Sequence, residues 1–402
     1  MTSETAGPVR YEIPANWISY NIVRIAGVLT EAKAAMLSLQ AMPFQRSWAD
    51  ELQGIQLKRE VAGTSKIEGA DFSDRELEAA MRESPNQLQT RSQRQAAAAV
   101  MTYRWIATLA NDLPIDAGLI LEAHRRIVSG ADDDHCVPGR LRATDENVVF
   151  GSPRHRGCEG GESCKRAFDL LCDALREDFP RHDPLVQALA LHYHFAAMHP
   201  FLDGNGRTAR ALEALVLQRT GLRDGLFIAM SNYYYEEKAA YLAAPAAVRM
   251  RDHDLTPFLE FGLRGIQKQC ERLLREIKIN LQKALFRNMM FSLFNRLKTP
   301  RTRVMAERQL DILKLLLSSD RVGLEEIHEK TKPKYGDLQN PYKALIRDLN
   351  YLIGIKAISY EKFEQNKYVF FARLDWPTEI TETEFFARVK QLPKARTSGF
   401  LS

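Results

Sequence analysis

The sequence predicts a mainly α-helical protein with one small β-hairpin in its first part and a small α+β module near its end. Before residue 300, segments such as 116–129 and 185–198 carry apolar residues at spacings of three and four, the period of a helix with one buried face. The main exception is 147–150, a short apolar segment between charged and Gly/Pro-rich stretches, which predicts an edge hairpin. After residue 305 the helical pattern gives way to two β-rich segments, 355–360 and 367–372.

The order of these segments predicts five regions along the chain. They are an N-terminal helical region (1–81), a helical core (82–267), a long basic helix with a hinge at 298–303 (268–304), an α+β module (305–375) and a partly disordered tail (376–402). Within the module the pattern predicts helices at 307–318, 323–330 and 341–352, followed by a two-stranded ribbon.

Composition restricts the class of protein but not its chemistry. The chain has 402 residues, enough for two or three domains, and its content of 45% hydrophobic and 27% charged residues is typical of a soluble globular protein. No apolar run approaches the roughly 18–20 residues that span a bilayer, and the N-terminus lacks a secretory signal. Five cysteines are too few for a disulfide framework, so we expect a cytoplasmic protein. A net charge of +5 permits nucleic-acid binding without arguing for it.

The segment from His199 to Arg210 carries the most informative chemistry. It lies between two helical patterns and therefore predicts a loop that opens a helix. Gly204, Asn205 and Gly206 supply a bend whose backbone N–H groups can converge on an anion at the helix N-terminus. Arg207 lies three residues before Arg210 on the first turns of that helix, and the guanidinium groups of both suit phosphate oxygens.

Three more residues of this segment complete a candidate nucleotide site. Asp203 precedes the bend, where its carboxylate can hold a Mg²⁺ ion that neutralises the same phosphates. His199 has an ordinary pKa near 7, which makes it the natural general base. We expect Phe201 to point inward and anchor the loop. A base, a carboxylate for Mg²⁺, an anion site and two arginines together indicate phosphoryl or nucleotidyl transfer.

The segment resembles the Fic family, because it matches every fixed position of the motif His-x-Phe-x-(Asp/Glu)-Gly-Asn-Gly-Arg-x-x-Arg. The resemblance implies that His199 deprotonates a Ser, Thr or Tyr hydroxyl of a protein, whose oxygen attacks the α-phosphate of ATP and releases pyrophosphate. It also implies that Asp203 binds Mg²⁺ on the α- and β-phosphates and that residues 204–206 hold phosphate oxygens. Arg207 would then contact the β-phosphate and Arg210 the γ-phosphate.

Two further segments resemble elements of Fic proteins. Residues 138–142 followed by Val148, Val149, Phe150 and Gly151 resemble the flap, an edge hairpin that can pair with an extended target segment by main-chain hydrogen bonds. The spacing between the two parts is slightly longer than the family pattern. Residues 231–241 resemble a closing helix of the core, where we expect Tyr241 to line the adenine pocket; ordinary packing of its ring is the alternative.

A third motif lies upstream of the core. Thr64, Glu68 and Gly69 match the inhibitory pattern (Ser/Thr)-x-x-x-Glu-(Gly/Asn) of many Fic proteins. The resemblance, which covers roughly residues 15–265, implies that a helix presents Glu68 to Arg210 and occupies the arginine that the γ-phosphate needs. The alternative is an exposed helical glutamate before a glycine that ends the helix.

The module at 305–375 resembles a winged helix. Its third helix, with Lys343 and Arg347 facing outward, would be the recognition helix, and 360–368 would be the wing. Asp348 interrupts the presumed helix surface and glutamates lie in the wing, so DNA binding and protein docking both stay open.

Other clusters of polar residues have simpler interpretations. His192 and His194 are expected to pack on the helix before the motif rather than to bind a metal with nearby cysteines, because no paired ligand spacing is present. The acidic run 132–135 is expected to be a solvated loop.

The sequence therefore leaves three functions open. The first is AMP transfer from ATP to a protein hydroxyl, on a partner or on the protein itself, with Glu68 as an inhibitor. The second is the reverse reaction, phosphodiester hydrolysis, with Glu68 orienting a water. The third is a DNA-binding regulator with a nucleotide-sensing core, against which the intact His199 argues. Mg²⁺ is the expected cofactor, no membrane is expected as a partner, and a homodimer is a further hypothesis.

Overall fold

The computed structural model describes residues 9–42, 46–70, 73–82, 88–151, 154–220, 228–296, 300–364, 367–375 and 381–391. The chain divides into two compact units, Met1–Leu274 and Arg275–Ser402. The predicted mainly α-helical fold class is confirmed. The five regional boundaries predicted from the sequence remain predictions.

The first unit is mostly helical. Its helices are α1 Ile22–Ala41, α2 Arg46–Ile67, α3 Asp74–Arg82, α4 Arg91–Thr108, α5 Ala117–Val128, α6 Glu162–Glu177, α7 Pro184–Met198, α8 Asn205–Gln218, α9 Met230–Glu236 and α10 Lys238–Arg249. Helix α11, Thr256–Asn295, begins in this unit and ends in the second. Helix α7 is apolar on nearly every side and most of its side chains are buried, as expected for a helix at the centre of a core. It packs against α8, and α2 packs against α9.

A small three-stranded sheet lies in the same unit. Its strands are β1 Val9–Arg10, β2 Val149–Phe150 and β3 His155–Arg156, in the order β1-β3-β2. The antiparallel β2–β3 pair is the hairpin predicted from residues 147–150. Strand β1 pairs with β3 in parallel inside the region predicted to be helical. Two residues are too few to show the alternation by which a strand is recognised, so the sequence did not reveal β1.

The second unit combines helices with a second sheet. Its elements are α12 Pro300–Ser318, β4 Val322–Gly323, α13 Leu324–Thr331, α14 Pro341–Gly354, β5 Ile358–Glu364, β6 Lys367–Ala372 and α15 Glu382–Gln391. The strands are antiparallel in the order β4-β6-β5, so β4 adds a strand to the predicted ribbon. Helix α15 lies within the predicted tail, of which residues 376–380 and 392–402 fall outside the described part of the chain.

Helix α12 begins at Pro300, inside the stretch 298–303, and proline is well suited to the first position of a helix. The hinge predicted there remains a prediction. One expectation for this unit was wrong. Asp348 does not interrupt the surface of α14: it is fully buried, and its carboxylate accepts hydrogen bonds from Arg308 Nε at 2.9 Å and from the Tyr335 hydroxyl at 2.9 Å. A buried carboxylate needs such donors, and the sequence pattern of α14 alone does not show them.

Within the described ranges, no helix combines the length and the apolar character needed to cross a membrane. All five cysteines are free thiols.

Candidate active site

The loop between α7 and α8 is fixed by its own backbone and by one amide. Helix α7 ends at His199, whose φ of 55° is left-handed, and α8 begins after Gly204, whose φ is 76°. The Asn205 side chain accepts from Phe201 N at 2.9 Å and donates to Phe201 O at 2.8 Å. Both ends of that amide are therefore used to close the loop, and the backbone N–H groups at the start of α8 are left for an anion.

Phe201 anchors the loop by burying its side chain. Its ring is fully buried, as predicted, and stacks on His124 with centroids 3.6 Å apart. His124 Nδ1 accepts from Gly139 N at 2.9 Å, so Nε2 carries the proton that it donates to Asp203 O at 3.0 Å. Burial lowers the pKa of His124 to about 4, which keeps this neutral tautomer in place. His124 belongs to no motif, and no sequence pattern indicated its role.

His199 is held as a neutral imidazole. Its Nδ1 lies 3.0 Å from Ala196 O and must donate, so Nε2 keeps the lone pair that a general base needs. Burial lowers the pKa of His199 to about 4. Arg142 Nε donates to His199 O at 2.7 Å, and the Phe150 ring stacks on the imidazole at 3.9 Å. The left-handed backbone of His199 is thus fixed by its surroundings.

Arg207 is buried beside a carboxylate that the sequence did not identify. Its Nη1 lies 2.5 Å from Asp132 Oδ2, and its Nη2 lies 3.3 Å from Asp203 Oδ1. Asp132 is fully buried and also accepts from Arg91 Nη2 at 2.6 Å. The expectation of a solvated loop at 132–135 is therefore wrong at its first residue. A buried guanidinium requires a counter-charge, and Asp132 supplies it.

Asp203 is the candidate ligand for Mg²⁺. Its side chain is about one-third exposed, and its Oδ1 accepts from Gly204 N at 2.6 Å. Arg91 Nη2 lies 3.5 Å from its Oδ2. The described residues contain no cluster of three or more His, Cys, Asp or Glu side chains that would hold a metal alone. One accessible carboxylate fits Mg²⁺, which is usually bound by one or two carboxylates together with substrate phosphates and water.

Arg210 is enclosed by residues of the upstream motif. Its Nη2 lies 2.5 Å from Glu68 Oε1, and its Nε donates to Thr64 Oγ1 at 2.8 Å. Its Nη1 donates to the Tyr241 hydroxyl at 3.2 Å. Burial alone would raise the pKa of Glu68, but the charge of Arg210 outweighs it and the pKa is lowered. Gly69, with φ of 90°, ends the turn that follows α2.

Glu68 lies directly against the start of α8. A Cβ atom added to Gly206 would come within 2.6 Å of Glu68 Oε1, so glycine leaves the space that this carboxylate fills. The Glu68 carboxylate therefore lies at the N-terminal end of α8, where an anion can bind, and it also forms an ion pair with Arg210.

Comparison with known proteins finds a family match that includes this loop. Residues 114–217 match the model of the Fic/DOC family. The chain contains a Fic domain. It is 31% identical over 159 residues to protein adenylyltransferase fic-1 of Caenorhabditis elegans, covering 40% of this chain and 28% of that protein. It is 29% identical over 162 residues to protein adenylyltransferase Fic of Nematostella vectensis, covering 40% and 34%. The matched segment thus spans about a third or less of these relatives.

Solved structures show the same fold. A Fic family protein from Desulfovibrio desulfuricans superposes with a TM-score of 0.56 at 17% identity, over 90% of this chain and 99% of that chain. Fic-1 of C. elegans, residues 134–508, superposes with a TM-score of 0.53 at 21% identity, over 64% and 75%.

The segment resembling the flap lies beside the Fic-domain loop. Val148 is half-buried, and its carbonyl accepts from Gly157 N at 3.3 Å. Val149 is exposed on β2, which is an edge strand of its sheet. Phe150 covers His199, and Gly151 turns the chain with φ of 78°.

Tyr241 and two histidines pack behind the loop. The Tyr241 ring is buried and stacks on Tyr234 at 4.5 Å. His192 Nε2 lies 2.9 Å from the Tyr241 hydroxyl, and its Nδ1 contacts the buried carboxylate of Glu213. His194 is buried and lies 2.6 Å from Trp17 O. Packing of both histidines in the core was predicted correctly, whereas an adenine contact of Tyr241 remains a prediction.

Glu60, within α2, fixes that helix to α4 and α9. Glu60 is buried and accepts from the Tyr103 hydroxyl at 2.7 Å and from Ser231 N at 2.8 Å. Gly63, one turn later, lies so close to the backbone of Ser231 that an added Cβ would approach it to 2.4 Å. The contacts of Glu60 and Gly63 set the position from which α2 presents Glu68. Sequence alone does not separate Glu60 from an exposed helical glutamate.

Replacing Glu60 with glutamine is expected to remove a pH dependence of stability. Burial raises the pKa of Glu60 from 4.5 to about 7, so the stability tied to its protonated form is complete below pH 4.5 and is lost as pH rises through 7. The shift corresponds to about 3 kcal/mol of unfolding free energy at most. Urea unfolding at pH 5, 6, 7 and 8 should show a decline in the wild type that is weaker in Glu60→Gln. Glu31→Gln, at an exposed position of α1, should keep the wild-type decline; equal declines in all three proteins would contradict the prediction.

Proposed function

We propose that the protein transfers AMP from ATP to a Ser, Thr or Tyr hydroxyl of a protein, a partner or itself, and that Glu68 restrains this reaction through Arg210. The observation that carries the proposal is the neutral His199 at one end of a fixed loop, with the anion-binding start of α8 and two buried arginines at the other. The relatives named protein adenylyltransferases support the same reaction class.

His199 acts on the target hydroxyl. Its Nε2 accepts the hydroxyl proton as the oxygen forms a bond to the α-phosphorus of ATP, and the bond from that phosphorus to the bridging oxygen breaks to release pyrophosphate. The backbone N–H groups of Asn205 and Gly206 and the guanidinium of Arg207 stabilise the charge on the phosphate oxygens. Mg²⁺, held by Asp203, would supply further neutralisation of those oxygens when bound.

Glu68 opposes this arrangement by charge and by position. Its carboxylate takes the Nη2 donor of Arg210, which the γ-phosphate requires in our proposal. It also places a negative charge at the helix end that a phosphate would otherwise use. ATP can then bind only by displacing Glu68 or with its phosphates shifted, and a shifted α-phosphate is out of line for attack.

Replacing Glu68 with glycine is expected to raise AMP incorporation. A charge-assisted hydrogen bond contributes about 1.5–3 kcal/mol, so its loss corresponds to an increase of roughly tenfold to a hundredfold. The measurement is retention of label from ATP labelled at the α-phosphate, with Mg²⁺ and cell lysate as a source of targets.

Matched isosteric variants give the control. Glu68→Gln removes the inhibitory charge and should also raise labelling, whereas Glu31→Gln removes a charge from the exposed surface of α1 and should not. Labelling of Glu68→Gly at or below the wild-type level would overturn inhibition by Glu68. Absence of label in every protein would overturn AMP transfer itself.

The reverse reaction is a second candidate because Glu68 is ionised and its charge acts on His199. A carboxylate in that position can orient a water towards a phosphodiester. In that case a protein already carrying AMP would keep it when incubated with Glu68→Gln, whereas the wild type would remove it.

The second unit supports a separate proposal. Helices α12, α13 and α14, followed by the β5–β6 ribbon, have the element order of a winged helix, and Lys343 is exposed at the start of α14. Arg321 forms an ion pair with Glu361 of the ribbon, so the positive charge of this arginine is already neutralised by a carboxylate. DNA binding and protein docking are separated by a fluorescence-anisotropy titration with duplex DNA at several salt concentrations, since phosphate contacts weaken steeply with salt.

A further inference from the structure

Phe150 of strand β2 contacts two groups at once. Its ring stacks on the His199 imidazole with centroids 3.9 Å apart and an interplanar angle of 12°. The guanidinium carbon of Arg249, in the last turn of α10, lies over the same ring at 5.3 Å from its centroid. One phenyl ring therefore links the proposed general base to a guanidinium that belongs to no Fic motif.

Arg249 carries donors that no described residue uses. Its Nε and Nη1 are buried, and within the described ranges neither has a hydrogen-bond partner. Burial lowers the pKa of Arg249 to about 10, and no carboxylate offsets that effect. A cation in the last turn of a helix interacts favourably with the helix dipole, but this leaves the N–H groups unsatisfied.

His155 on β3 is unsatisfied in the same way. The residue is only 3% exposed, and neither ring nitrogen has a hydrogen-bond partner among the residues that the structure describes. Its ring lies 6.5 Å from Phe150, and burial together with the charge of Arg249 lowers the pKa of His155 to about 4. Buried donors without partners are rare in folded proteins because each costs about 1–3 kcal/mol. Two such residues beside one ring indicate that their partner is a ligand.

We infer that Arg249 and His155 form a seat for a carboxylate side chain of the protein target, close in sequence to the modified hydroxyl. This inference rests on the proposed function, because it assumes that a target hydroxyl reaches His199. Guanidinium and imidazole N–H groups both donate, and a carboxylate accepts from several donors at once.

The geometry of a bound segment favours a peptide carboxylate. Strand β2 is an edge strand and can pair with an extended chain, in which residues two apart point to the same side at a spacing of about 6.6–7 Å. His199 and Arg249 both contact the Phe150 ring, at centroid distances of 3.9 Å and 5.3 Å, so a hydroxyl at His199 and a carboxylate at Arg249 can come from neighbouring positions of one extended segment. We therefore expect Asp or Glu two residues from the modified Ser, Thr or Tyr. The nucleotide phosphates, in contrast, are assigned to α8 and its two arginines.

The test uses full-length Glu68→Gly protein and paired synthetic peptides. Each peptide carries one Tyr or Thr in an alanine and lysine background, with Asp at the second position on either side, and its pair carries Asn there. Binding is measured by fluorescence anisotropy, and modification by label transferred from ATP labelled at the α-phosphate. We expect the Asp peptide to bind about tenfold more tightly than the Asn peptide and to be labelled faster.

Variants of Arg249 test whether this residue causes a preference for Asp peptides over Asn peptides. In Arg249→Gln the ratio of Asp-peptide affinity to Asn-peptide affinity should fall from about ten to about one, a change that a purely structural role would not produce. Arg251→Gln, two residues on and exposed, should keep the preference. Arg249→Lys, which retains the charge, gives a second reading if the glutamine variant unfolds, and it should keep part of the preference.

The two readouts separate the seat from the reaction. Tighter binding of Asp peptides that depends on Arg249, without label transfer, would support the seat and reject AMP transfer. Label transfer without a preference for Asp would support AMP transfer and reject the seat. Equal binding of Asp and Asn peptides, at any affinity, overturns the inference.

Discussion

Replacing His199 with alanine is expected to lower AMP incorporation by a factor of about 10²–10⁴, the usual contribution of a general base. The imidazole keeps a free lone pair on Nε2 that can accept the hydroxyl proton, since Nδ1 is engaged with Ala196 O. The measurement is label transfer in the Glu68→Gly background, where the rate is highest. His135→Ala, at an exposed position of the same domain, should leave the rate unchanged.

A second variant separates catalysis from backbone strain. His199 adopts a left-handed φ of 55°, which asparagine tolerates better than alanine. His199→Asn should therefore unfold at nearly the wild-type temperature and still fail to label. Rapid labelling by either variant would remove His199 from the reaction.

The pH profile gives an independent check on the same residue. Because burial lowers the pKa of His199 to about 4, the base is already neutral at pH 6, and the rate should be flat from pH 6 to 8 and fall towards pH 4. The folding stability should depend on pH in the same direction as the rate. A depressed pKa favours the neutral form, so the corresponding stability is present above pH 6.5 and is lost as pH falls.

The chemistry of the loop could be predicted because its residues are contiguous. Twelve residues fix the positions of His199, Asp203 and the two arginines relative to each other through one helix end, so spacing alone carries the geometry. The buried ring of Phe201 followed from the same pattern. The contact between Glu68 and Arg210 joins residues 142 apart in the sequence, and only the resemblance to Fic proteins pointed to it.

The missed residues share a physical cause. Asp132, His124 and Glu60 are polar side chains that become buried because of partners distant in the sequence, and a local pattern does not report such partners. Asp132 stands beside two exposed aspartates, which makes the whole run look solvated. A buried motif arginine nevertheless implies a buried acid somewhere in the chain, and that requirement is a signal that sequence analysis can use.

Replacing Asp132 with alanine is expected to destabilise the first unit by about 3–5 kcal/mol, the effect of removing one partner from a buried ion pair. The change leaves the Arg207 guanidinium buried without its main acceptor, and Arg207 Nε already lacks a hydrogen-bond partner. Urea unfolding followed by tryptophan fluorescence measures the effect. Asp134→Ala, which removes an exposed aspartate from the same run, should change the unfolding free energy by no more than about 0.5 kcal/mol.

The double variant decides whether the loss comes from the ion pair. Arg207→Met replaces the guanidinium with an apolar chain, so adding Asp132→Ala to it should cost much less than Asp132→Ala costs alone. That coupling should be accompanied by weaker labelling in Asp132→Ala, since Arg207 loses the contact that orients it towards the phosphates. If the two single effects simply add, Asp132 stabilises the fold by some means other than Arg207. The conclusion that the phosphate-binding arginine is positioned by a buried acid outside its own motif would then be wrong.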